Sequence, residues 1–130
     1  MNVEMRRRIF RRFADTGGPP EFTREELDGL AAQHAVVLDD EGRIEFANPF
    51  ATGPTDFAVT TAGRQYYGTC VWDGLGILAL LGADGRVDTH CADCAETLTL
   101  EVRDGLLASS ETVVHFLVPA ARWYEDLRFT

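Results

Sequence analysis

Residues 68–81 read GTCVWDGLGILALL, and this stretch decides the fold of the second half of the chain. From Val71 onward the residues are apolar on nearly every side, which is typical of a buried helix over residues 71–81. Gly74 and Gly76 cost such a helix stability unless close packing of the backbone requires them. The stretch therefore predicts a central helix that begins beside Cys70 and has close neighbours.

The segments on either side of this helix predict β-structure. The predicted strands are residues 57–61, 64–67, 86–90, 96–102 and 112–118. The first two form a hairpin that delivers the chain to Cys70, and a short helix that opens at Pro119 follows the last one. Trp123 and Tyr124 of that short helix are expected in the core, as is His115 between two apolar neighbours. The pattern predicts an antiparallel sheet packed against the Cys70 helix.

The first 47 residues have a different pattern. Residues 3–13 predict a helix, and a second helix begins at Thr23, which forms a capping box with Glu26 and leads a stripe of apolar residues to about Gln33. Residues 34–38 and 43–46 then predict a hairpin. Two helices and a hairpin resemble a small winged-helix unit without a recognition helix, so we expect a structural cap and no nucleic-acid surface.

The fold class expected from these elements is α+β. It has a helical N-terminal cap with a wing-like hairpin, followed by an antiparallel sheet packed against a buried helix that starts at Cys70. The 130 residues suit one compact unit, with residues 1–47 as the cap and residues 48–130 as the core.

Composition excludes several classes of function. The net charge is −9 and every basic residue is arginine, so a phosphate backbone is disfavoured as a partner despite the arginines of the first helix. Apolar runs are too short for a membrane span, and no secretory leader is visible. Three cysteines in such a chain indicate free thiols or metal ligands, and we expect a cytoplasmic protein.

Cys70 and Asp73 form the candidate reactive pair. Residues three apart lie on one face of a helix, so the thiol and the carboxyl group could meet the same small ligand. A helix N-terminus favours the thiolate, which binds soft metals. An apolar pocket and a neighbouring anion raise the pKa of Asp73, which could then act as a general acid. The alternative is a purely structural role, in which Cys70 is a small buried residue and Asp73 is a carboxylate favoured by the helix N-terminus.

Cys91 and Cys94 form a Cys-x-x-Cys turn between two predicted strands. Structural zinc is one interpretation, with His90 and His115 as the remaining ligands. Redox exchange is another, although a strand rather than a helix follows the pair. Two ordinary thiols at a tight turn is the third.

Several segments together resemble the organomercurial (alkylmercury) lyase family. The matching stretches are NPF at 48–50, DFAV at 56–59, YYGTCVWDGLGI at 66–77, HCADC at 90–94, VVHFLVP at 113–119 and WYED at 123–126. They extend over residues 48–130, about two-thirds of the chain.

The resemblance implies protonolysis of a carbon–mercury bond without a cofactor. Cys70 resembles the first mercury-binding thiol and Asp73 the residue that delivers the proton to carbon. A small organomercurial would be the substrate, and small thiols or a thiol-bearing reductase would remove the product. Membranes and nucleic acids are not implied as partners.

The resemblance also leaves one mercury ligand unmatched. The family's second mercury-binding cysteine falls just beyond the strand-like residues 127–130, at which this sequence stops. A longer gene product, a site with one cysteine, or a second thiol from Cys91 or Cys94 would each account for this, although Cys91 resembles a structural cysteine of the family. A protein of the same fold that binds mercury without cleaving carbon is therefore the alternative function.

Overall fold

The computed structural model describes residues 3–108 and 111–128. Its helices are α1 (Val3–Thr16), α2 (Arg24–Ala32) and α3 (Val71–Leu81), with a 3-10 helix at Ala120–Glu125. Its strands are β1 (Val37–Leu38), β2 (Ile44–Ala47), β3 (Phe50–Ala51), β4 (Ala58–Thr61), β5 (Arg64–Tyr67), β6 (Gly85–His90), β7 (Thr97–Arg103) and β8 (Leu106–Leu107). This mixture of helices and antiparallel strands confirms the predicted α+β class.

The two N-terminal helices are as predicted, with α1 longer by three residues. In α2 the predicted capping box is present, because Thr23 Oγ1 accepts a hydrogen bond from the Glu26 N–H (3.2 Å) and Glu26 Oε2 accepts one from the Thr23 N–H (2.8 Å). The last carbonyl groups of α1 accept hydrogen bonds from β5. Tyr66 Oη donates to the Ala14 carbonyl (2.5 Å), and the Arg64 guanidinium donates to Asp15. These bonds fasten the end of α1 to the strand that leads to Cys70.

The first sheet is antiparallel, with the order β1-β2-β3. The predicted hairpin is present, but its first strand shrinks to two residues because His34 adopts a positive φ of 56° and turns the chain. Strand β3 was not predicted, since two residues carry no periodicity. Its Phe50 also forms a bridge with Gly68, which ties the first sheet to the segment before α3.

The second sheet is also antiparallel, with the order β5-β4-β6-β7-β8, and α3 packs on it. A Cβ atom added at Gly74 would lie 3.0 Å from Val87 Cγ1, and one added at Gly85 would lie 2.7 Å from Leu78 Cδ2. Since α3 ascends from Gly74 to Leu78 as β6 descends from Val87 to Gly85, the two elements run antiparallel. The helix N-terminus therefore lies toward the C-terminal end of β6.

The glycines of α3 differ from each other. At Gly74 the approach to Val87 is as close as the sequence suggested, whereas a Cβ at Gly76 would meet only Pro49 Cβ at 3.8 Å, an ordinary contact. The helix is also not buried on all sides, because Trp72 is 57% exposed and Leu80 is exposed as well. Apolar residues lie on more sides of the helix than the sheet covers.

The segment after β7 corrects the sequence-based prediction. Residues 112–118 form no strand, and Val113 and Leu117 are 85% and 69% exposed. The edge of β7 is instead paired with β8, through a tight turn in which Asp104 and Gly105 both have positive φ. The short strand β8 takes up the end of β7 at Val102 and Arg103, and residues 112–118 pair with neither sheet.

The aromatic and histidine residues predicted for the core in this segment lie mostly outside it. His115 is exposed, and Tyr124 is 65% exposed and stacks on His34 with ring centroids 4.7 Å apart. Trp123 is partly buried, and its indole N–H donates to the Val118 carbonyl (3.0 Å). These side chains pack on the surface because no strand carries them inward.

The core is one cluster of buried apolar side chains from the helices and both sheets. Phe13 of α1 stacks on Phe50 of β3 with centroids 4.9 Å apart, and Phe50 in turn contacts Tyr66 of β5. The division at residue 47 into cap and core stays a prediction. None of the helices in the described ranges has the length and apolar character needed to cross a membrane.

Candidate active site

The turn before α3 is built around Gly68. Its N–H donates to the Phe57 carbonyl (3.0 Å), and its own carbonyl accepts from Thr55 Oγ1 (2.7 Å). A Cβ at this position would lie 2.7 Å from the backbone nitrogen of Gly74, so a larger residue does not fit without movement of the helix. This turn sets the position of the residues that follow it, and sequence reasoning missed the contribution of Thr55.

Cys70 is the N-cap residue of α3. Its backbone is extended (φ −151°, ψ 178°), and its sulfur accepts a hydrogen bond from the Asp73 N–H at 3.4 Å. The side chain is partly buried, and this burial raises the pKa of the Cys70 thiol more than the helix N–H group lowers it; the Asp73 charge raises it further. The N–H groups of the helix start lower the thiol pKa, as expected, but burial outweighs them, so the net shift is upward and opposite to the predicted one.

Asp73 lies in the first turn of α3, as predicted, and burial raises the pKa of its carboxyl group. The opposing influence is Thr69, whose hydroxyl donates to Asp73 Oδ2 and lowers the carboxyl pKa. The direction agrees with the sequence-based expectation, and burial is its main cause. Thr69 was missed by sequence reasoning, although a hydroxyl four residues before a helical carboxylate is a usable signal.

The turn between β6 and β7 holds Cys91 and Cys94, both with free thiols. Backbone N–H groups of Cys94 and Asp93 donate to the Cys91 sulfur, and these bonds lower the pKa of the Cys91 thiol. Cys94 is exposed. As expected from the sequence, a strand and not a helix follows the pair, which differs from the thioredoxin-type arrangement.

A four-ligand zinc site is not formed by the residues that the structure describes. Within residues 3–108 and 111–128, no three side chains of His, Cys, Asp or Glu converge on a point that could hold a metal ion. His90 and His115, the two candidate additional ligands, are both exposed. Cys91 and Cys94 thus remain a pair.

The two cysteine-bearing turns leave the second sheet at the same end. Tyr67, the last residue of β5, pairs with Ala58 of β4, which pairs on its other side with Asp88 near the end of β6. Cys70 follows β5 by three residues and Cys91 follows β6 directly. Neighbouring strands are about 4.8 Å apart, so the two strand ends are separated by about 10 Å across the sheet.

The last described residues lie against the first sheet. Arg128 donates to Glu45 Oε2 (2.7 Å) and to the Leu38 carbonyl (2.6 Å). Of the strand-like residues 127–130, the first two form a turn and the other two lie outside the described residues.

Comparison with known proteins gives matches to one family. The family model described as alkylmercury lyase (MerB) matches residues 50–130. Alkylmercury lyases from Bacillus cereus and from Clostridium butyricum are each 29% identical over 107 residues, which is 80% of this chain and 47% of the relative. The chain thus spans about half the length of these curated relatives.

One solved structure supports the fold. A crystal structure of the mercury-bound form of MerB2 superposes with a TM-score of 0.67 at 24% identity, over 84% of this chain and 59% of that one. The two proteins therefore have similar folds over most of this chain.

Proposed function

The chain belongs to the alkylmercury lyase family, and from this membership we propose that it cleaves carbon–mercury bonds by protonolysis. Cys70 binds the mercury and Asp73 supplies the proton. The observation that carries the proposal is the placement of a thiol at the N-cap of α3 and a carboxyl group with raised pKa one turn later, both partly buried. A soft thiol ligand next to a carboxylic acid is the pair that this reaction needs.

Mercury reaches Cys70 by thiol exchange. The substrate arrives as an organomercury thiolate, R–Hg–SR′, and the Cys70 sulfur forms a bond to mercury as the bond from mercury to SR′ breaks. The Cys70 proton leaves with the small thiol R′SH. This exchange suits a thiol whose pKa is raised by burial, because the proton is replaced by mercury and no lasting thiolate is required.

Asp73 then protonates the carbon. Sulfur ligation of mercury increases negative charge on the carbon, and the acid form of Asp73 transfers its proton as the carbon–mercury bond breaks, so that R–H leaves. Burial favours this acid form. A further R′SH gives its proton to the Asp73 carboxylate and its sulfur to mercury, which regenerates the acid and leaves mercury held by two sulfurs.

The partners follow from this chemistry. The substrate is a small organomercurial, and a small thiol supplies the second sulfur; a thiol-bearing reductase could accept the ion afterwards. The reaction needs no organic cofactor. A thiol-dependent reaction of this kind suits the reducing cytoplasm.

The test is single-turnover release of benzene from phenylmercury with excess small thiol, followed by gas chromatography. We expect Cys70→Ser to fall to the rate of the thiol alone and Asp73→Asn to lose about 10²- to 10⁴-fold, the usual contribution of a general acid. Asp40→Asn, which removes an exposed carboxyl group on the β1–β2 turn, is the matched control and should keep the wild-type rate.

Two outcomes would contradict the proposal. Benzene release by Cys70→Ser at the wild-type rate would exclude Cys70 as the mercury ligand. Mercury binding by the wild-type protein without benzene release would instead favour the alternative of a non-catalytic mercury-binding protein.

A further inference from the structure

The Cys91–Cys94 turn carries two free thiols, of which Cys94 is exposed and Cys91 is partly buried. The turn is closed by hydrogen bonds from the Cys91 N–H to the Glu96 carbonyl (2.8 Å) and from the Ala95 N–H to the Cys91 carbonyl (2.9 Å), with Ala95 at φ 60°. The chain therefore folds back on itself between the two cysteines, which stand three residues apart on one tight turn. Because Cys94 is exposed, its side chain can change rotamer to accommodate an ion between the sulfurs.

The number of ligands selects the kind of ion. Zinc requires four ligands, and among the described residues no third His, Cys, Asp or Glu joins this pair. Two thiolates are instead sufficient for soft d¹⁰ cations that accept linear two-sulfur coordination.

We propose that Cys91 and Cys94 form a second thiol site, which binds one soft two-coordinate cation, mercury(II), between their sulfurs. The identity of the ion rests on the proposed function, since mercury(II) would be its product. The exchange is balanced: a mercury bis-thiolate, Hg(SR′)2, gives up its metal to the two cysteines, and the two cysteine protons leave with two molecules of R′SH.

The position of the turn supports this role. Cys91 and Cys70 leave the sheet at the same end, so an ion carried from Cys70 by a small thiol has a short path to the pair. Cys70 shares its surroundings with one carboxyl group, whereas the β6–β7 turn offers two sulfurs that can hold the ion as a chelate.

The experiment uses the full chain carrying Cys70→Ser, in which Cys91 and Cys94 are the two remaining cysteines. After reduction and desalting, it is titrated with mercuric chloride against a competing monothiol, and bound mercury is measured by equilibrium dialysis. We expect one mercury per chain, bound about 100-fold more tightly than by the Cys70→Ser/Cys94→Ser control, because the second sulfur acts within the same molecule. Size-exclusion chromatography should show a monomer-sized complex.

Equal affinity in the two variants would overturn the proposal, as would one mercury shared between two chains. Circular dichroism of the control variant, whose substituted side chain is exposed, checks that it is folded. The benzene assay is independent: benzene release by the wild type with no chelate in Cys70→Ser rejects this site alone. A chelate with no benzene release keeps the site and rejects the proposed function.

Discussion

The turn at Cys70 and the turn at Cys91 begin at the same end of one sheet but shift the pKa of their thiols in opposite directions. Burial raises the pKa of the Cys70 thiol and the neighbouring Asp73 carboxylate raises it further, against hydrogen bonds from Asp73, Trp72 and Thr69 that lower it. Cys91, in contrast, has the N–H groups of Cys94 and Asp93 directed at it with little loss of solvent, and its pKa is lowered. Hydrogen bonds lower the pKa of both thiols, so the loss of solvent at Cys70 decides the difference.

This difference suits two successive tasks. A thiol that keeps its proton until mercury displaces it, beside an acid, suits a site in which a proton must be available for carbon. A thiol that loses its proton easily suits retention of a soft cation. Substitution and labelling at the two turns test this difference.

The largest effect is expected where the buried turn is forced open. In Gly68→Ala the new methyl group would lie 2.7 Å from the Gly74 backbone nitrogen, so the start of α3 must shift. We expect a loss of about 1–3 kcal/mol in the free energy of unfolding, the usual cost of overpacking, measured by urea denaturation. Gly76→Ala is the matched control, because its nearest neighbour is 3.8 Å away; its stability should be unchanged or higher by up to about 1 kcal/mol. Equal losses in both would show that Gly68 is not selected by packing.

The second prediction concerns thiol reactivity. With iodoacetamide at pH 7, Cys91 should be alkylated about tenfold faster than Cys70, because it has the lower pKa and is not enclosed by a helix start. Peptide mass spectrometry of time points gives each rate separately. Labelling in concentrated urea is the control, in which the rates should converge. Faster labelling of Cys70 in the folded protein would reverse the contrast.

The third prediction concerns the cost of the buried acid to stability. The folded-state pKa of Asp73 is above its unfolded value. The neutral Asp73 carboxyl group therefore makes its full contribution to folding stability below about pH 4, and this contribution is lost as the pH rises through the folded-state pKa. Asp73→Asn cannot ionise and avoids this loss. We expect its Tm to exceed that of the wild type by about 1–2 °C at pH 7 and to match it near pH 3, by circular dichroism.

Asp40→Asn is again the control for Asp73→Asn, because it removes an exposed carboxyl group. A difference in Tm between Asp73→Asn and the wild type that is independent of pH would show that ionisation of Asp73 is not its cause.

The smallest effect is expected at Thr69. Thr69→Val removes the hydroxyl that donates to Asp73 and lowers the carboxyl pKa, so the Asp73 pKa should rise. Since the proposed reaction uses the protonated carboxyl group, the decline of benzene release with rising pH should move to higher pH, with a rate change below about tenfold at the optimum. Thr69→Ser retains a hydroxyl and should keep the wild-type profile. An unchanged profile in Thr69→Val would remove Thr69 from the positioning of Asp73.

Sequence reasoning was most successful where local rules decide the structure. The bounds of α3 at Val71–Leu81 follow from the length of an apolar run between Cys70 and Gly82, and the Thr23 capping box follows from its spacing to Glu26. The β4–β5 hairpin likewise follows from alternation on either side of Ala62-Gly63. These features depend on residues close together in the chain.

Sequence reasoning failed where residues far apart in the chain decide the structure. The apolar character of residues 112–118 suggests a strand, but a strand also needs a pairing partner, and this segment pairs with neither sheet. The pKa of Cys70 was predicted in the wrong direction because the helix terminus is visible in the sequence, whereas the burial that outweighs it is created by packing. Thr55 acts on the site through its hydrogen bonds to Gly68 and Phe57, which no periodicity reveals.

The attachment of α1 to β5 has a consequence for the motions of the molecule. Two side chains of β5, Tyr66 and Arg64, donate hydrogen bonds to backbone carbonyl groups at the end of α1. Fraying of that helix end would break both bonds. Amide hydrogens in the last turn of α1 and in β5 should therefore exchange with deuterium on a common timescale, as parts of one opening unit. Since β5 leads directly to Gly68, we expect opening of this unit to loosen the Cys70 turn as well.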